Sequence, residues 1–316
     1  MKYSHLFGPV PSRRLGLSLG VDLVPHKTCS LNCIYCECGA TTILTDVRKE
    51  YVPVKAVIAE LDDYLAASPG LDYVTFSGSG EPTLNSGLDM VVDFLKEYHP
   101  GYKLCLLTNG TLFAGEKVRS AVSRIDLIIP SLDAAGEETF QKINRPCNDL
   151  RCADIIEGLI ALRREYAGNI VLEIFIVPGL NDTAEELSLI KGAIKKINPD
   201  RVQIGTLDRP GTEDWVAAAD TGKMKEIAGY LDNAEVIGDF HSGQPVSSFN
   251  DSTSRMILQT LRRRPCTISD LTNILALRPA EIQKYINQLL AQEKIDAEQK
   301  ERGIFLKIRN GYGGFA

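Results

Sequence analysis

Three cysteines stand close together near the start of this 316-residue chain, Cys29, Cys33 and Cys36, with the spacing C-x3-C-x2-C. Thiolates are ligands for zinc and for iron–sulfur clusters. Three thiolates at this spacing can bind three irons of a [4Fe–4S] cube and leave the fourth iron open to a small molecule. A zinc knuckle is the alternative, in which Cys38 or His26 would supply the fourth ligand. Both interpretations place a metal centre in this loop.

A second motif with chemical potential is the segment FSGSGEPTL at Phe76–Leu84, directly after an apolar run. It contains Gly78, Ser79, Gly80 and Glu81. Glycines allow backbone carbonyls to approach a ligand, and a carboxylate can neutralise an ammonium group. A plain Gly/Pro turn is the alternative, but such a turn does not require a carboxylate. We therefore expect a ligand-binding loop here.

Polar residues also end two later apolar runs. Asn109 follows the third predicted strand, and Ser131 and Asp133 lie at the end of the fourth. In a parallel barrel, chemistry is found at the carboxyl ends of the strands, where these residues fall. For Asn109, which precedes Gly110, an ordinary turn is an equally good interpretation. We expect these side chains beside Glu81.

The elements that would position these residues alternate between strand and helix over the first 245 residues. Short apolar runs with little alternation predict buried parallel strands, at Leu17–Leu23, Tyr73–Ser77, Lys103–Thr108, Leu127–Ser131, Ile170–Val177 and Val202–Thr206. Helical patterns separate them, at Val54–Ala67, Gly87–Tyr98, Gly115–Ser123, Cys152–Tyr166, Ala184–Ile197 and Asp214–Leu231. The predicted fold class is α/β, with a parallel sheet that closes partly or fully into a barrel.

The C-terminal part of the sequence has a different pattern. Around Asp239–Ser254 the sequence is rich in Gly, Pro, Ser and Asn. We therefore expect a first domain over residues 1–245, a linker over 246–253 and a second domain over 254–316. Three helical patterns followed by a hairpin pattern predict a winged helix-turn-helix. From Ser252 onward the chain has eleven Lys and Arg against six Asp and Glu, a local charge of +5, which leaves −11 for the rest. Nucleic acid and protein docking are equally good interpretations of this domain.

Composition excludes several classes of protein. The net charge of −6 argues against nonspecific coating of nucleic acid by the whole molecule. No apolar run approaches the roughly 20 residues of a membrane-spanning helix, and the N-terminus does not resemble a signal peptide. We therefore expect a cytoplasmic protein whose eight cysteines are free for metal or redox chemistry.

The cysteine motif resembles the signature of the radical S-adenosylmethionine (SAM) enzymes, in which an aromatic residue, here Tyr35, precedes the last cysteine. The resemblance extends from Phe7 to Pro210 and implies a (β/α)6 partial barrel. It implies that the open iron of a [4Fe–4S] cluster binds SAM. An electron from the cluster would then cleave SAM to a 5′-deoxyadenosyl radical. A reductant such as flavodoxin or ferredoxin would supply that electron.

The resemblance also implies roles for individual residues. The Gly-Ser-Gly-Glu segment, which corresponds to the family's Gly-Gly-Glu motif, would bind the SAM amino group. Polar groups at the later strand ends would bind the ribose hydroxyls and the carboxylate of SAM. The implied SAM-binding set is Tyr35, Gly78, Ser79, Gly80, Glu81, Asn109, Ser131 and Asp133. No residue is assigned to catalysis on the substrate.

A narrower resemblance concerns the branch that contains the wyosine-type tRNA-base synthases. It rests on three segments, GPVPSRRLGLSLGVDLVP at 8–25, GSGEPTL at 78–84 and TLDRPG at 206–211. The sequence differs from that branch in having no cysteine before Cys29 and in its C-terminal segment. Because the resemblance is to enzymes that modify tRNA, an RNA base is our first expectation for the substrate. A protein or peptide is our second. An iron–sulfur regulator that binds DNA without cleaving SAM is the alternative function.

The sequence leaves the roles of two further sets of residues open. Arg13 and Arg14 could meet a phosphate or carboxylate, although a surface salt bridge is as good an interpretation. Cys38, Cys147 and Cys152 are candidates for an auxiliary cluster, with free thiols as the default.

Overall fold

The computed structural model describes residues 3–12, 14–78, 80–209, 211–232, 234–237, 253–275, 277 and 279–309. Three of our expectations concern residues outside this set. They are Ser79, Arg13 and the linker 246–253 except for Thr253, which begins a helix.

Twelve strands and ten α-helices make up the described chain. The strands are β1 (Leu6–Ser12), β2 (Gly16–Asp22), β3 (Thr28–Cys29), β4 (Ile43–Leu44), β5 (Tyr73–Ser77), β6 (Lys103–Thr108), β7 (Leu127–Pro130), β8 (Asn169–Ile176), β9 (Arg201–Thr206), β10 (Glu235–Val236), β11 (Ile295–Lys300) and β12 (Gly303–Ile308). The helices are α1 (Val54–Leu65), α2 (Leu88–Tyr98), α3 (Glu116–Ala121), α4 (Glu137–Asn144), α5 (Cys152–Glu165), α6 (Ala184–Ile197), α7 (Thr221–Tyr230), α8 (Thr253–Arg263), α9 (Ile268–Leu275) and α10 (Pro279–Ala291).

Eight strands form the main sheet, in the order β1-β2-β5-β6-β7-β8-β9-β10. All pairs from β2 onward are parallel, and β1 pairs antiparallel with β2 at the edge. The six predicted strands are all present in this sheet, with ends that differ by one residue at most. The predicted α/β class is therefore confirmed. The sequence analysis did not predict β1, α4 or the short strands β3, β4 and β10.

The predicted helix at Asp214–Leu231 is too long, because α7 begins only at Thr221. Asp220 is extended and its side chain accepts a hydrogen bond from the backbone N–H of Lys223, so it caps the helix from outside. Val216, in the preceding segment, packs instead into a small core with Ile34 of the cysteine loop. The segment before α7 therefore contacts the cysteine loop and is not helical.

Alternate residues along each strand separate two faces of the main sheet. One face packs against the helices, through side chains such as Leu104, Ile128 and Leu172. The other, which we call the inner face, carries a small core of Leu15, Cys105, Leu127, Ile129 and Val171. This core occupies the first half of the strands. The inner face beyond it, toward the carboxyl ends, is more polar.

The C-terminal segment, residues 253–309, has its own hydrophobic core. Helices α8, α9 and α10 are followed by the antiparallel pair β11–β12, which is the predicted order of elements. Val10 of strand β1 packs against this core, so the segment lies on the edge of the main sheet. Among the residues that the structure describes, no helix is both long and apolar enough to span a membrane.

Candidate functional site

The cysteine loop lies at the carboxyl end of β2 and is held by main-chain hydrogen bonds. Its Asn32 and Ile34 donate backbone N–H groups to the carbonyls of Asn144 and Ile143, at the end of α4. The carbonyl of Ile34 in turn accepts from Glu213 N at 2.9 Å. Two distant parts of the chain therefore fix the shape of a loop that has almost no regular structure of its own.

Each of the three predicted metal-binding thiols has a nitrogen donor. Asn109 Nδ2 lies 3.4 Å from Cys29 Sγ, and Asn144 Nδ2 lies 3.3 Å from Cys33 Sγ. The Lys27 ammonium donates to Cys36 Sγ at 3.1 Å. Hydrogen bonds to the sulfurs of an iron–sulfur cluster stabilise negative charge and help to set its reduction potential.

The electrostatics of the three thiols differ. Burial raises the pKa of Cys29 to about 12 and raises the pKa of Cys33 well above its ordinary value. The pKa of Cys36 is lowered to about 5, because the Cys38 thiol donates a hydrogen bond to it and the Lys27 ammonium is close. Metal binding requires thiolates, so Cys29 and Cys33 must release protons when a metal centre assembles.

The donor set fits a cluster better than a single metal ion. Within the described part of the chain, no three His, Cys, Asp or Glu side chains lie close enough to bind one ion, which leaves the zinc knuckle without support. In a cubane each thiolate binds a different iron, so its cysteines stand farther apart than the ligands of one ion. Cys29, Cys33 and Cys36 would hold such a cluster, with Lys27, Asn109 and Asn144 donating to their sulfurs.

Glu81 is buried beside Cys29, and both of its carboxylate oxygens accept hydrogen bonds from the protein. One carboxylate oxygen accepts from Thr83 N, Thr83 Oγ1 and Thr108 Oγ1, and the other from Asn109 N at 2.7 Å. Burial raises its pKa, although these hydrogen bonds oppose the shift. Glu81 thus ties the loop after β5 to the end of β6. Oε2 accepts only the bond from Asn109 N among the described residues, so the expectation that Glu81 meets an ammonium stays a prediction.

Two glycines shape the loop before Glu81. Gly78 has φ +116°, and a Cβ there would lie 1.9 Å from Asp22 Oδ1. A Cβ on Gly80 would lie 2.2 Å from the carbonyl oxygen of Thr28, next to the first cysteine. Side chains at either position would push the loop away from the cysteines. The glycines therefore allow this loop to pack closely against Asp22 and Thr28, and its approach to a ligand stays a prediction.

Asp133 and Tyr35 form a buried pair under the cysteine loop. The Tyr35 hydroxyl donates to Asp133 Oδ2, and the Tyr35 ring stacks on Phe175 with centroids 3.9 Å apart. Asn144 Nδ2 also donates to Asp133, at 2.7 Å, and Phe175 N donates at 2.9 Å. Burial raises the pKa of Asp133 to about 6. Asp133 therefore positions Tyr35 and Asn144 beside Cys33.

Several residues of this site were not predicted. Lys27 is part of the Pro-His-Lys-Thr stretch before the first cysteine, but nothing in the sequence shows that its amine reaches Cys36. Asn144 ends α4, a helix that was not predicted at all. The next residue, Arg145, caps that helix and has a left-handed backbone conformation, with φ 43°. A polar residue at a helix end has too weak a sequence signal to identify it as a donor to a thiol.

The segment after β9, part of the TLDRPG motif, packs on the cysteine loop. The buried guanidinium of Arg209 lies 3.1 Å from the carboxylate of Glu37, within that loop. Thr212 Oγ1 donates to the carbonyl of Cys36. Gly211 lies so close to the Tyr35 backbone that a Cβ there would be 2.9 Å from its carbonyl oxygen. The motif therefore holds the third cysteine in place.

A cavity with a volume of about 470 Å³ lies among the described residues. It extends from Cys36, Gly78 and Ser131 along the inner face of the sheet. A second, much smaller cavity is lined by Cys33, Asn109 and Ser131, among others. Ser131 thus borders both spaces, on the side where the cysteine loop meets the strand ends.

The three candidates for an auxiliary cluster are free thiols in different surroundings. Cys152 is buried and donates to the carbonyl of Ala134, and Cys147 is buried beside Ser30, whose carbonyl accepts from its backbone N–H. Cys38 lies in the cysteine loop, where it donates to Cys36. The structure therefore supports the default interpretation for these thiols.

Comparison with known proteins agrees with this geometry. The family model of the radical SAM superfamily matches residues 23–189, which is more than half of the chain. A UPF0026 protein of Helicobacter pylori is 38% identical over 210 residues, covering 66% of this chain and 67% of that protein. A protein of Brachyspira hyodysenteriae named GTPase Obg is 36% identical over 293 residues, covering 92% of this chain. The chain spans only 42% of the length of that relative.

Among solved structures, a radical SAM methyltransferase from Sphaerobacter thermophilus has the same fold. Its TM-score is 0.53 at 15% identity, and the match covers 69% of this chain and 64% of the other. The chain therefore belongs to the radical SAM superfamily, whose enzymes use a [4Fe–4S] cluster and SAM, and it is related to the UPF0026 proteins.

Proposed function

We propose that this enzyme binds its cluster through Cys29, Cys33 and Cys36 and cleaves SAM reductively. The observation that carries this proposal is a loop with three thiols, each of which has its own nitrogen donor. The start of that loop at Thr28 lies against Gly80, and Cys36 lines the same cavity as Gly78. When bound, the cluster supplies the electron that converts SAM to methionine and a 5′-deoxyadenosyl radical. The protein's own residues would bind and orient SAM and the substrate and would enclose them.

The residues divide into those that face the cofactor site and those that support it. The backbone carbonyls of the Gly78–Gly80 loop would accept from the SAM ammonium, since the Glu81 carboxylate is engaged elsewhere. Ser131 and Asn109 line the spaces at the strand ends and would meet the ribose or carboxylate of SAM. Asp133 and Tyr35 support the cysteine loop. Ser79 keeps its expected role as part of the binding loop.

The domain organisation is also part of the proposal. Six parallel strands, each followed by a helix, support a (β/α)6 partial barrel over residues 1–245. The order of three helices and a hairpin supports a winged helix over 254–316, joined through 246–253. A flavodoxin- or ferredoxin-type reductant would supply the electron.

The substrate expectations, an RNA base first and a protein or peptide second, depended on the C-terminal segment. Most of its described cations are paired within the molecule. Arg263 pairs with Asp22, Arg302 with Asp208, Lys307 with Glu298 and Arg309 with Asp296. A cation that is already paired contributes less to phosphate binding. The DNA-binding regulator gains no support from this segment for the same reason.

The proposed chemistry is tested by anaerobic reconstitution followed by addition of dithionite and SAM. We expect about four irons per chain and release of 5′-deoxyadenosine. Cys36→Ala should lose both, whereas Cys38→Ala, a matched control two residues away, should keep the iron. Stoichiometric zinc in place of iron, or a fully loaded cluster that releases no 5′-deoxyadenosine, would overturn the proposal.

A further inference from the structure

The cavity of about 470 Å³ lies between the inner face of the sheet and helices α8 and α9 of the C-terminal segment. We propose that this cavity is the substrate site and that it takes a small molecule with a carboxylate or phosphate group, which binds Arg264. This inference rests on the proposed function, because the cavity opens toward the cluster and SAM residues.

The sheet contributes a polar wall. Ser18 and Thr75 line the cavity from β2 and β5, and their hydroxyl oxygens are 2.6 Å apart. Ser77 and Ser131 line it closer to the strand ends, and Cys36 lines it from the cysteine loop. A molecule in this space would therefore lie directly beside the SAM-binding loop. That is the position that a substrate of the radical must occupy.

The C-terminal segment contributes the opposite wall. Helix α8 and the residue after it supply Met256, Gln259, Thr260, Arg263 and Arg264. Helix α9 adds polar and apolar groups, among them Asp270, Ile274 and Leu275. The segment thus closes the inner face of the sheet. We infer that its role is to enclose the substrate.

Most charges around the cavity neutralise one another. Arg14, whose side chain is 21% exposed, pairs with Glu173 of β8. Both residues line the cavity, so this pair faces the cavity and not the outer surface. The Arg263 guanidinium pairs with Asp22 and lies 4.2 Å from the centroid of the Phe7 ring. Such pairs leave little net attraction for a ligand.

Arg209 is neutralised in the same way, since its guanidinium lies near Glu37 and Asp270. Arg264 is different. It is half-buried at the cavity wall, and it has no ion pair with any residue in the described ranges. Removing a cation from water without a counter-ion is unfavourable, so this guanidinium favours an anionic ligand. Carboxylates and phosphates match the planar donor geometry of arginine.

The volume of the cavity limits the size of the ligand. Small-molecule sites commonly have volumes of about 300–1,000 Å³. SAM would occupy part of this space, because Gly78 and Ser131 line it. A small molecule fits a cavity of this size, whereas a folded RNA or protein does not fit inside it.

The test compares Arg264→Ala with Arg262→Ala in the reconstituted, SAM-loaded full chain. Arg262 is an exposed residue of α8 that does not line the cavity, which makes it a matched control. Calorimetric titrations with inorganic phosphate and with acetate distinguish the two sources of the anion. We expect saturable binding of one probe, weakened about tenfold or more by Arg264→Ala. Arg264→Lys should keep much of the affinity, and Arg262→Ala should keep all of it.

Equal losses in the two alanine variants, or no saturable binding of either anion, would overturn the inference. So would tight binding of bulk tRNA that Arg262→Ala and Arg264→Ala weaken alike, because that result places the ligand on the outer surface. Assays for 5′-deoxyadenosine on the same preparations separate this inference from the proposed function. SAM cleavage without anion binding refutes only the substrate site, and anion binding without SAM cleavage refutes only the radical chemistry.

Discussion

At the scale of single residues, Glu81 is held in place by hydrogen bonds from the protein. Its two oxygens accept four hydrogen bonds from Thr83, Thr108 and Asn109. Asn109 also donates to Cys29, so the carboxylate and the cluster loop share a partner. Fully satisfied buried polar networks make a structure rigid. Glu81 therefore fixes the position of the binding loop relative to Asn109, the donor to Cys29.

Glu81→Gln is expected to lower both stability and SAM affinity. An amide nitrogen would face backbone and hydroxyl donors, which leaves buried groups unpaired at a cost of about 1–3 kcal/mol. Chemical denaturation measures the free energy of unfolding, and equilibrium dialysis measures SAM binding. Thr108→Val, which removes one donor and leaves the carboxylate, should show a smaller loss of stability. Unchanged stability with lost SAM binding would instead place the Glu81 carboxylate on the SAM ammonium.

At the level of elements, three residues after β9 hold the cysteine loop in place. They are Arg209, Gly211 and Thr212, and we call them the clamp. Arg209 reaches Glu37, Thr212 donates to the Cys36 carbonyl, and Gly211 lies against the Tyr35 backbone. None of these contacts is local in sequence. Because the loop has little regular structure, its geometry depends on such external contacts.

Gly211→Ala is expected to displace the clamp. The new Cβ would lie about 3 Å from three backbone atoms of Tyr35, none of which can rotate away. We expect a loss of stability of about 1–3 kcal/mol and a lower iron content after reconstitution. Gly205→Ala is the matched control, because its Cβ would meet only the Ile237 side chain at 3.6 Å. Equal iron contents in the two variants would show that the clamp does not hold the cluster loop.

At the scale of the whole molecule, Asp270 joins the C-terminal segment to the main sheet domain. Its carboxylate lies 2.8 Å from Arg302 and 3.7 Å from Arg209, which comes from the clamp. It also exchanges hydrogen bonds with Thr267 at the start of α9, in the arrangement of a capping box. One buried side chain therefore stabilises both a helix start and the contact between the two parts.

This arrangement predicts an acid-sensitive docking of the C-terminal segment. Burial alone would raise the pKa of Asp270, but the Thr267 N–H and the charges of Arg209 and Arg302 lower it overall. A lowered pKa means that the stabilisation is complete above the unfolded value of about 3.9 and is lost as the pH falls through the folded value. The protection of α8 and α9 against hydrogen exchange, relative to the intrinsic rate at each pH, should therefore fall only in acid.

Asp270→Asn should remove this dependence and loosen the segment at neutral pH by about 1–3 kcal/mol. The control is Asp296→Asn. Asp296 pairs with Arg309 within the segment, and their side chains are 36% and 41% exposed. Pairs at the surface are worth about 0–1 kcal/mol. Exchange rates of Asp270→Asn that match those of the unchanged chain at neutral pH would contradict the docking role.

Much of this architecture follows from local sequence patterns. The spacing of Cys29, Cys33 and Cys36 indicates a metal loop on its own, because one short segment brings the three thiols together. Apolar runs identified all six buried strands, because a strand covered on both faces consists mostly of apolar residues. The strand assignments also predict that the polar residues at the strand ends lie together, because the carboxyl ends of parallel strands share one edge.

Other features depend on which distant segments meet, and no local pattern encodes that. Lys27 and Asn144 become donors to thiols only because the cysteine loop packs against the end of α4. Strand β1 was missed because Gly8 and its prolines weaken a strand pattern, yet pairing with β2 stabilises it. The sequence pattern of the C-terminal segment is that of a separate module. Contacts with distant residues place it over the cavity, among them its ion pairs with Asp22 and Asp208 and the packing of Val10 on its core. Tertiary packing decides such contacts, because their free energy arises from burial and charge pairing between residues far apart in the chain.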